Sequence, residues 1–129
     1  MSNVELIEKF YIAFKNKDKE TYLSLCDDNI KWQLADGMPN GGRYIGKSAV
    51  FEEYFPQMLS NFKEFHAILE QITDMKDHVM VTGKYTGISN KEKPFDVPFS
   101  HVYRIQNEKI VQFRQFTDTD KINESLHWH

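Results

Sequence analysis

The sequence predicts an α+β fold in which amino-terminal helices cover one face of an antiparallel sheet. Two features point to it. Apart from one short strand, apolar residues up to Phe62 recur at helical spacing, and from Glu64 onward they alternate with a period of two. The alternating stretches are joined by segments 74–77, 89–93 and 106–109, which are polar and short enough for hairpins. The 129 residues contain no internal repeat and no linker, so residues 1–129 are expected to form one domain.

Ser2 and Glu5 form a capping-box pattern, and Ile7, Phe10, Tyr11 and Phe14 follow at i, i+3, i+4 and i+7, which gives the first helix a bulky apolar face. Residues 16–18 break it. Asp18 is placed to cap a short second helix carrying Tyr22, Leu23, Leu25 and Cys26, and residues 27–29 should stop that helix. Residues 30–34, Ile-Lys-Trp-Gln-Leu, alternate as a half-buried strand does. In the loop 36–46 four glycines permit positive φ and Pro39 fixes a bend, so this loop can fold tightly over something rather than span a gap. A third helical stripe runs through Val50, Phe51, Tyr54, Phe55, Met58, Leu59 and Phe62, with Ser48 placed as a cap. Pro56 falls inside it and should kink or split the helix. Strands are expected over 64–73, 78–89, 94–105 and 109–118.

Composition narrows the function. Apolar residues at 40% and charged residues at 27% are the balance of a soluble globular domain, and no apolar run approaches the length of a membrane span. No secretory pattern is visible at the start, so a cytoplasmic location is expected. The net charge of −3 and the scattered basic residues argue against a nucleic-acid partner. Cys26, a single cysteine in an apolar stretch, reads as a buried structural thiol. Ten Phe, six Tyr and two Trp are more than a minimal core requires, and suggest a lined cavity or an interface.

The order of these elements, with the stretch 44–55 (Tyr-Ile-Gly-Lys-Ser-Ala-Val-Phe-Glu-Glu-Tyr-Phe) and the stretch 109–119 (Lys-Ile-Val-Gln-Phe-Arg-Gln-Phe-Thr-Asp-Thr), resembles the nuclear transport factor 2-like superfamily, in particular its SnoaL-like, ketosteroid-isomerase-related branch. The resemblance covers essentially the whole chain. It implies a cystatin-like cone whose antiparallel or mixed sheet encloses a pocket closed by the helices, and homodimers formed through the sheet. It also implies a function: lyase, isomerase or cyclase chemistry by general acid and base on a small hydrophobic, oxygenated molecule, or non-catalytic binding, or a protein-interaction role. The isomerase pattern aligns Phe10, Gln33 and Ser100 with its tyrosine donor, its aspartate base and its protonated aspartate, and none of the three carries the titratable group. The polyketide cyclases of this branch place their catalytic aspartate where this chain has Gln115, which can orient a ligand but cannot take up a proton.

Strand alternation sorts the remaining polar groups. Ser100 and Val102 share one face and His101 and Tyr103 the other; on the last strand Phe113, Gln115 and Thr117 oppose Arg114, Phe116 and Asp118. Under the isomerase alignment Ser100 and Gln115 line the cavity, and His101 lies on the outer, dimer-forming face. With the register one residue different, His101, Tyr103, Arg114 and Asp118 face inward together, and a histidine near an aspartate can shuttle protons. His101 and Asp118 are therefore the catalytic candidates. The competing roles are a place in the sheet interface for His101 and a helix cap for Asp118. Expected ligand contacts are Tyr11, Phe14, Trp32, Tyr44, Phe51, Tyr54, Met58, Ser100 and Gln115, around a cavity of roughly 300–600 Å³ next to Trp32. Neither a cofactor nor a metal is expected. His66, His78 and His101 lack ligand spacing, the tail pair His127 and His129 could hold an ion only adventitiously, and the phosphate-loop and Gly-x-Ser-x-Gly patterns are missing.

Overall fold

Helix α1 (Asn3–Lys15) starts where the sequence places it: Ser2 Oγ accepts from Glu5 N at 3.1 Å, and Glu5 Oε1 accepts from Ser2 N at 3.1 Å. The computed structural model describes residues 1–127 of the chain, so His129 of the tail pair lies outside the described residues. Leu6, Ile7, Phe10 and Ala13 bury one face of α1. Lys17 takes a left-handed φ of 58° that ends it, and Asp18 caps α2 (Lys19–Ser24). This second helix is shorter than expected. Leu25 and Cys26 lie beyond it, and residues 27–29 do not interrupt the chain but run within strand β1 (Cys26–Gln33). Pairing of β1 with its neighbour shifts register between Cys26 and Lys31, which lets this polar stretch lie in a strand.

The glycine loop folds back on itself before strand β2 (Arg43–Ile45): Leu34 N donates to Gly42 O and Gly41 N to Met38 O, and Met38 is buried under the turn. A Cβ on Gly41 would stand 2.6 Å from Ala35 O, and Gly42 has φ 123°, so the tight return depends on both glycines. The third helical stripe is split, as Pro56 requires. Residues Ser48–Tyr54 form a π-helical turn, which continues into α3 (Phe55–Leu59) with the proline in its first turn, where its missing N–H costs nothing. Ser48 does not cap; its hydroxyl donates to Glu52 instead.

Four long strands complete the chain, β3 (Phe62–Met75), β4 (His78–Ser89), β5 (Pro94–Gln106) and β6 (Lys109–Thr117), followed by α4 (Thr119–Glu124). They form one curved, unclosed sheet in the order β2-β1-β6-β5-β4-β3. All neighbours are antiparallel except β1 and β6, which run parallel, so the sheet is mixed. Its curl is built in. Gly83 and Gly87 on the inner face of β4 let the β3 backbone at Ile68 and Glu64 come within the volume a side chain would need, and β3 carries register shifts at 62–64 and 69–71.

The inner face reads Val79, Val81 and Tyr85 on β4, Phe95, Val97, Phe99, His101, Tyr103 and Ile105 on β5, and Ile110, Phe113 and Gln115 on β6, all buried. Burial of each large apolar side chain among these stabilises the fold by about 1.5–3 kcal/mol. The helices close over them. Trp32 stacks on Phe113 at 3.9 Å between ring centroids, and Phe10, Phe51, Phe55 and Tyr103 surround it at 5.7 to 6.4 Å. No helix among the described residues is long and apolar enough to cross a membrane.

Candidate functional site

Polar side chains enter this aromatic interior at one place. His101 is paired across the sheet with Val81 on β4 and with Gln115 on β6, and residues directly opposite share a face, so His101 and Gln115 both point inward. Phe99, two residues earlier on the same face, stacks on the imidazole at 4.1 Å and fixes its plane. Tyr11 reaches it from α1, with Oη 2.6 Å from Nδ1 and the two rings within 5° of parallel. Tyr85 of β4 bonds the opposite nitrogen, Nε2.

The chain of bonds continues at both ends. Tyr103 Oη donates to Tyr11 Oη at 2.8 Å, Gln115 Nε2 donates to Tyr85 Oη at 2.8 Å, and Gln115 Oε1 accepts from Ala35 N at 3.2 Å. Six groups from α1, the 34–36 segment and three strands are thus joined in one line, with the imidazole at its centre. Every member is electrically neutral near pH 7. Burial holds the His101 imidazole neutral by lowering its pKa from 6.5 to about 3, and burial raises the hydroxyl pKa of Tyr11, Tyr85 and Tyr103 above the usual tyrosine value. Tyr54, in the π-helical turn, is raised for the same reason.

A neutral imidazole has one N–H, so it donates to one tyrosine and accepts from the other. With the proton on Nδ1, Tyr11 Oη accepts from both His101 and Tyr103, and its own O–H is free. With the proton on Nε2, Tyr85 Oη accepts from both His101 and Gln115, and the free O–H is there. The site therefore has two states of equal charge that differ only in which tyrosine offers a donor.

Three expectations about the site residues are corrected. Ser100 lies on the outer face opposite Phe116 and Thr82, not in the cavity. Arg114 also faces outward, its guanidinium 5.1 Å from the centroid of Phe116. Asp118 is exposed and does not meet His101; its carboxylate accepts from Lys121 N at 3.3 Å as the cap of α4. The reason is one residue. The hairpin pairs Gln106 with Lys109 and Ile105 with Ile110, but Arg104 pairs with Gln112, which leaves Val111 as a bulge. Without that bulge His101 would face Arg114. Asp118→Ala is accordingly expected to cost about 1 kcal/mol through the lost cap, read by chemical denaturation, and to leave ligand affinity unchanged.

The other candidates divide. Trp32, Phe51, Tyr54 and Met58 are buried in the interior, and Phe14 is half-buried against Phe55 at 4.7 Å. Tyr44 packs on Tyr54 at 5.1 Å while its hydroxyl donates to Asn40 O, which braces the glycine loop. Tyr85 is a site residue that the sequence reading passed over. Its signal is the Gly83-x-Tyr85-x-Gly87 spacing, which puts a lone large side chain between two glycines on one strand face. Cys26 is buried and donates its thiol to Tyr22 O, and burial pushes its pKa up to about 12, which is the state of an inert structural thiol.

The space expected beside Trp32 is packed by rings. Two open clefts lie elsewhere: one of about 640 Å³ between the start of β5 and α4, and one of about 470 Å³ bordered by Lys31, Arg43, Arg114 and Gln115. Within the interior, the Trp32 indole N–H has no acceptor among the described residues. Tyr11, Phe14, Phe55, Phe65, Leu69 and Ile72 are only partly buried, so the apolar interior reaches solvent along the seam between α1, α3 and β3.

The fold and the matched segment fix the family. A family model described as a SnoaL-like domain matches residues 7–113. The chain belongs to the SnoaL-like family. This SnoaL-like chain is similar to an NTF2-like protein from Burkholderia thailandensis, at 24% identity and TM-score 0.93 over 99% of each chain. It is also similar to TerC, co-crystallised with polyporic acid, at 21% identity and TM-score 0.88 over 96% of this chain and 97% of that one. A putative SnoaL-like polyketide cyclase from Jannaschia sp. shares 14% identity at TM-score 0.83, over 96% and 90% of the two chains. At these identities the structures share the fold. No curated protein matches the sequence.

Proposed function

We propose that this SnoaL-like domain takes a small, hydrophobic, oxygenated molecule into its conical interior, and that the Tyr11–His101–Tyr85 line exchanges protons with it in an isomerase, lyase or cyclase reaction. The observation that carries this reading is the line itself: hydroxyls on both imidazole nitrogens, in a setting otherwise made of aromatic rings. A purely structural core has no need to bury four titratable groups, which must forgo the hydration they have in the unfolded chain. The orphaned Trp32 N–H adds a donor for a ligand carbonyl. The similarity to a polyketide cyclase and to a protein crystallised with polyporic acid supports the same ligand class. Ligand uptake requires Phe51 and Phe55 to swing aside, and both sit on or next to the π-helical turn, a form of helix that concentrates at functional sites.

The test is calorimetric titration with 2-tetralone and with tetralin, which has the same skeleton without the oxygen. The ketone should bind about tenfold more tightly, and Tyr11→Phe should erase most of that preference. Absence of binding by either compound, or equal affinities, contradicts the proposal. A reading as a non-catalytic binder is favoured by one observation, that among the described residues no carboxylate reaches the interior line; unaltered ligand recovered after long incubation would support it.

The outer face of the sheet carries the second part of the proposal, pairing of two copies. Ile45, Ile68, Met75 and Phe116 all lie on it and are 44 to 56% exposed, which is costly for large apolar side chains unless they are covered. Phe116→Asp should convert a dimer into a monomer in light scattering. A wild-type chain that is already monomeric at high concentration contradicts this.

A further inference from the structure

We propose that the cleft on the outer face of the sheet, bordered by Lys31, Arg43 and Arg114, binds a small phosphate monoester, at a site separate from the aromatic interior.

The fold gathers cations that lie far apart in the sequence. Gln33 of β1 is paired with Arg43 on β2 and with Arg114 on β6, so the two arginines flank it in one row across three strands, with backbones about 10 Å apart. Lys31 stands two residues earlier on the same face of β1, paired with Gln112. All three cations are exposed and line the cleft of about 470 Å³ together with Gln33, Gln112 and Phe116. None of the three has a carboxylate within ion-pair distance among the described residues, although Lys84, on the same sheet face, has Asp96 at 3.6 Å. Like charges held this close repel one another, and an anion among them removes that cost.

Arg114 is already positioned for such a guest. Its guanidinium lies 5.1 Å from the centroid of Phe116, and a guanidinium held over a ring by its flat face keeps the N–H donors of its edge for an oxyanion. A further guanidinium continues the positive face: Arg104, across from Gln112 on β5, has a buried Nε with no acceptor among the described residues.

Charge and size select the ligand class. Among the described residues the only carboxylate lining the cleft is that of Asp36, which leaves two positive charges in excess, and a phosphate monoester carries close to two negative charges at neutral pH. Its three terminal oxygens suit donors that arrive from three side chains, whereas a carboxylate offers two. The cleft also has room for more than a phosphate group, and the exposed ring of Phe116 gives the organic part of the ester an apolar contact.

The experiment is calorimetric titration at low ionic strength with phenyl phosphate, benzoate and inorganic phosphate. Phe116 belongs both to this cleft and to the face proposed to pair, so it is left intact and the wild-type chain is used in the oligomeric state it takes. Phenyl phosphate should bind about tenfold more tightly than benzoate, which has the ring without the dianion, and more tightly than inorganic phosphate, which has the dianion without the ring. Arg43→Gln and Arg114→Gln should each weaken phenyl phosphate binding by roughly tenfold, and the double variant should lose it. Lys84→Gln, which removes a paired cation of the same face, should leave it unchanged. Neither arginine holds a carboxylate, so the Tm of both arginine variants without ligand should stay within about 3 °C of wild type, which separates a lost site from a lost fold. Absence of phenyl phosphate binding, a different order of affinities, or full affinity in the double variant overturns the proposal. Sedimentation with vesicles of phosphatidylcholine and phosphatidic acid distinguishes a soluble ester from a lipid headgroup: the protein should stay in the supernatant, and co-sedimentation that the arginine variants lose overturns the assignment to a small molecule.

Discussion

Acidification from about pH 7 to about pH 4 is expected to remove on the order of 3 kcal/mol of folding stability through His101 alone. The folded-state pKa lies near 3, below the ordinary 6.5, so in this interval the unfolded chain binds a proton that the folded chain refuses. Stability is then fully present above about pH 6.5 and falls as the pH drops toward the folded value. The loss follows from geometry: a charge at His101 would be buried among Phe99, Phe113 and three neutral tyrosines, with no anion among the described residues to balance it. Urea midpoints measured from neutral to acid pH should show it. His101→Gln cannot titrate there, so its midpoints should fall less steeply even though its absolute stability is lower. Parallel slopes for the two proteins would show that His101 is not held neutral by the fold.

Alanine at Gly83 or Gly87 is expected to cost about 3 kcal/mol each, and to lower Tm by roughly 10 °C. The new Cβ would run into the Ile68 carbonyl from one position and the Glu64 carbonyl from the other, and these belong to backbone that cannot rotate away. It would also press on the ring tips of Phe99, at 3.0 Å, and Phe95, at 2.8 Å. Either β3 uncurls or the aromatic layer shifts. Because Tyr85 stands between the two glycines, its hydroxyl should move with them, so the ketone preference over tetralin should fall as well. Scanning calorimetry gives the first effect, and a change below about 1 kcal/mol would mean that the sheet owes its curl to something else.

The architecture was legible because it depends on patterns the sequence states openly. The Ser2–Glu5 capping box, the 3.6-residue spacing on α1, the change to period two after Glu64 and the disruptive Pro56 each have one structural outcome that fits. The parallel pairing of β1 with β6 was not visible, since periodicity says which residues share a face but not which strand lies alongside. The site was legible in its residue types, His101, Tyr11, Gln115 and Trp32, and illegible in its register. Both inward arrangements drawn from the sequence assumed unbroken alternation across the β5–β6 hairpin. The chain instead inserts Val111, after a two-residue turn at Asn107 and Glu108 with φ of 50° and 61°, and this single bulge exchanges Arg114 for Gln115 opposite His101. A bulge at a β-branched residue carries no mark in a single sequence. Its consequence is chemical: the partner of the histidine side is an amide that orients rather than a charged guanidinium, and the carboxylate of Asp118 is left outside to cap a helix.

The most direct test of a neutral relay at the centre of the cone is the ¹⁵N NMR spectrum of the His101 ring, followed from neutral pH down to about pH 4. One protonated and one unprotonated ring nitrogen, unchanged over that range and broken only when the protein unfolds, is the predicted result. An imidazolium forming in the folded protein near pH 6.5 would contradict it.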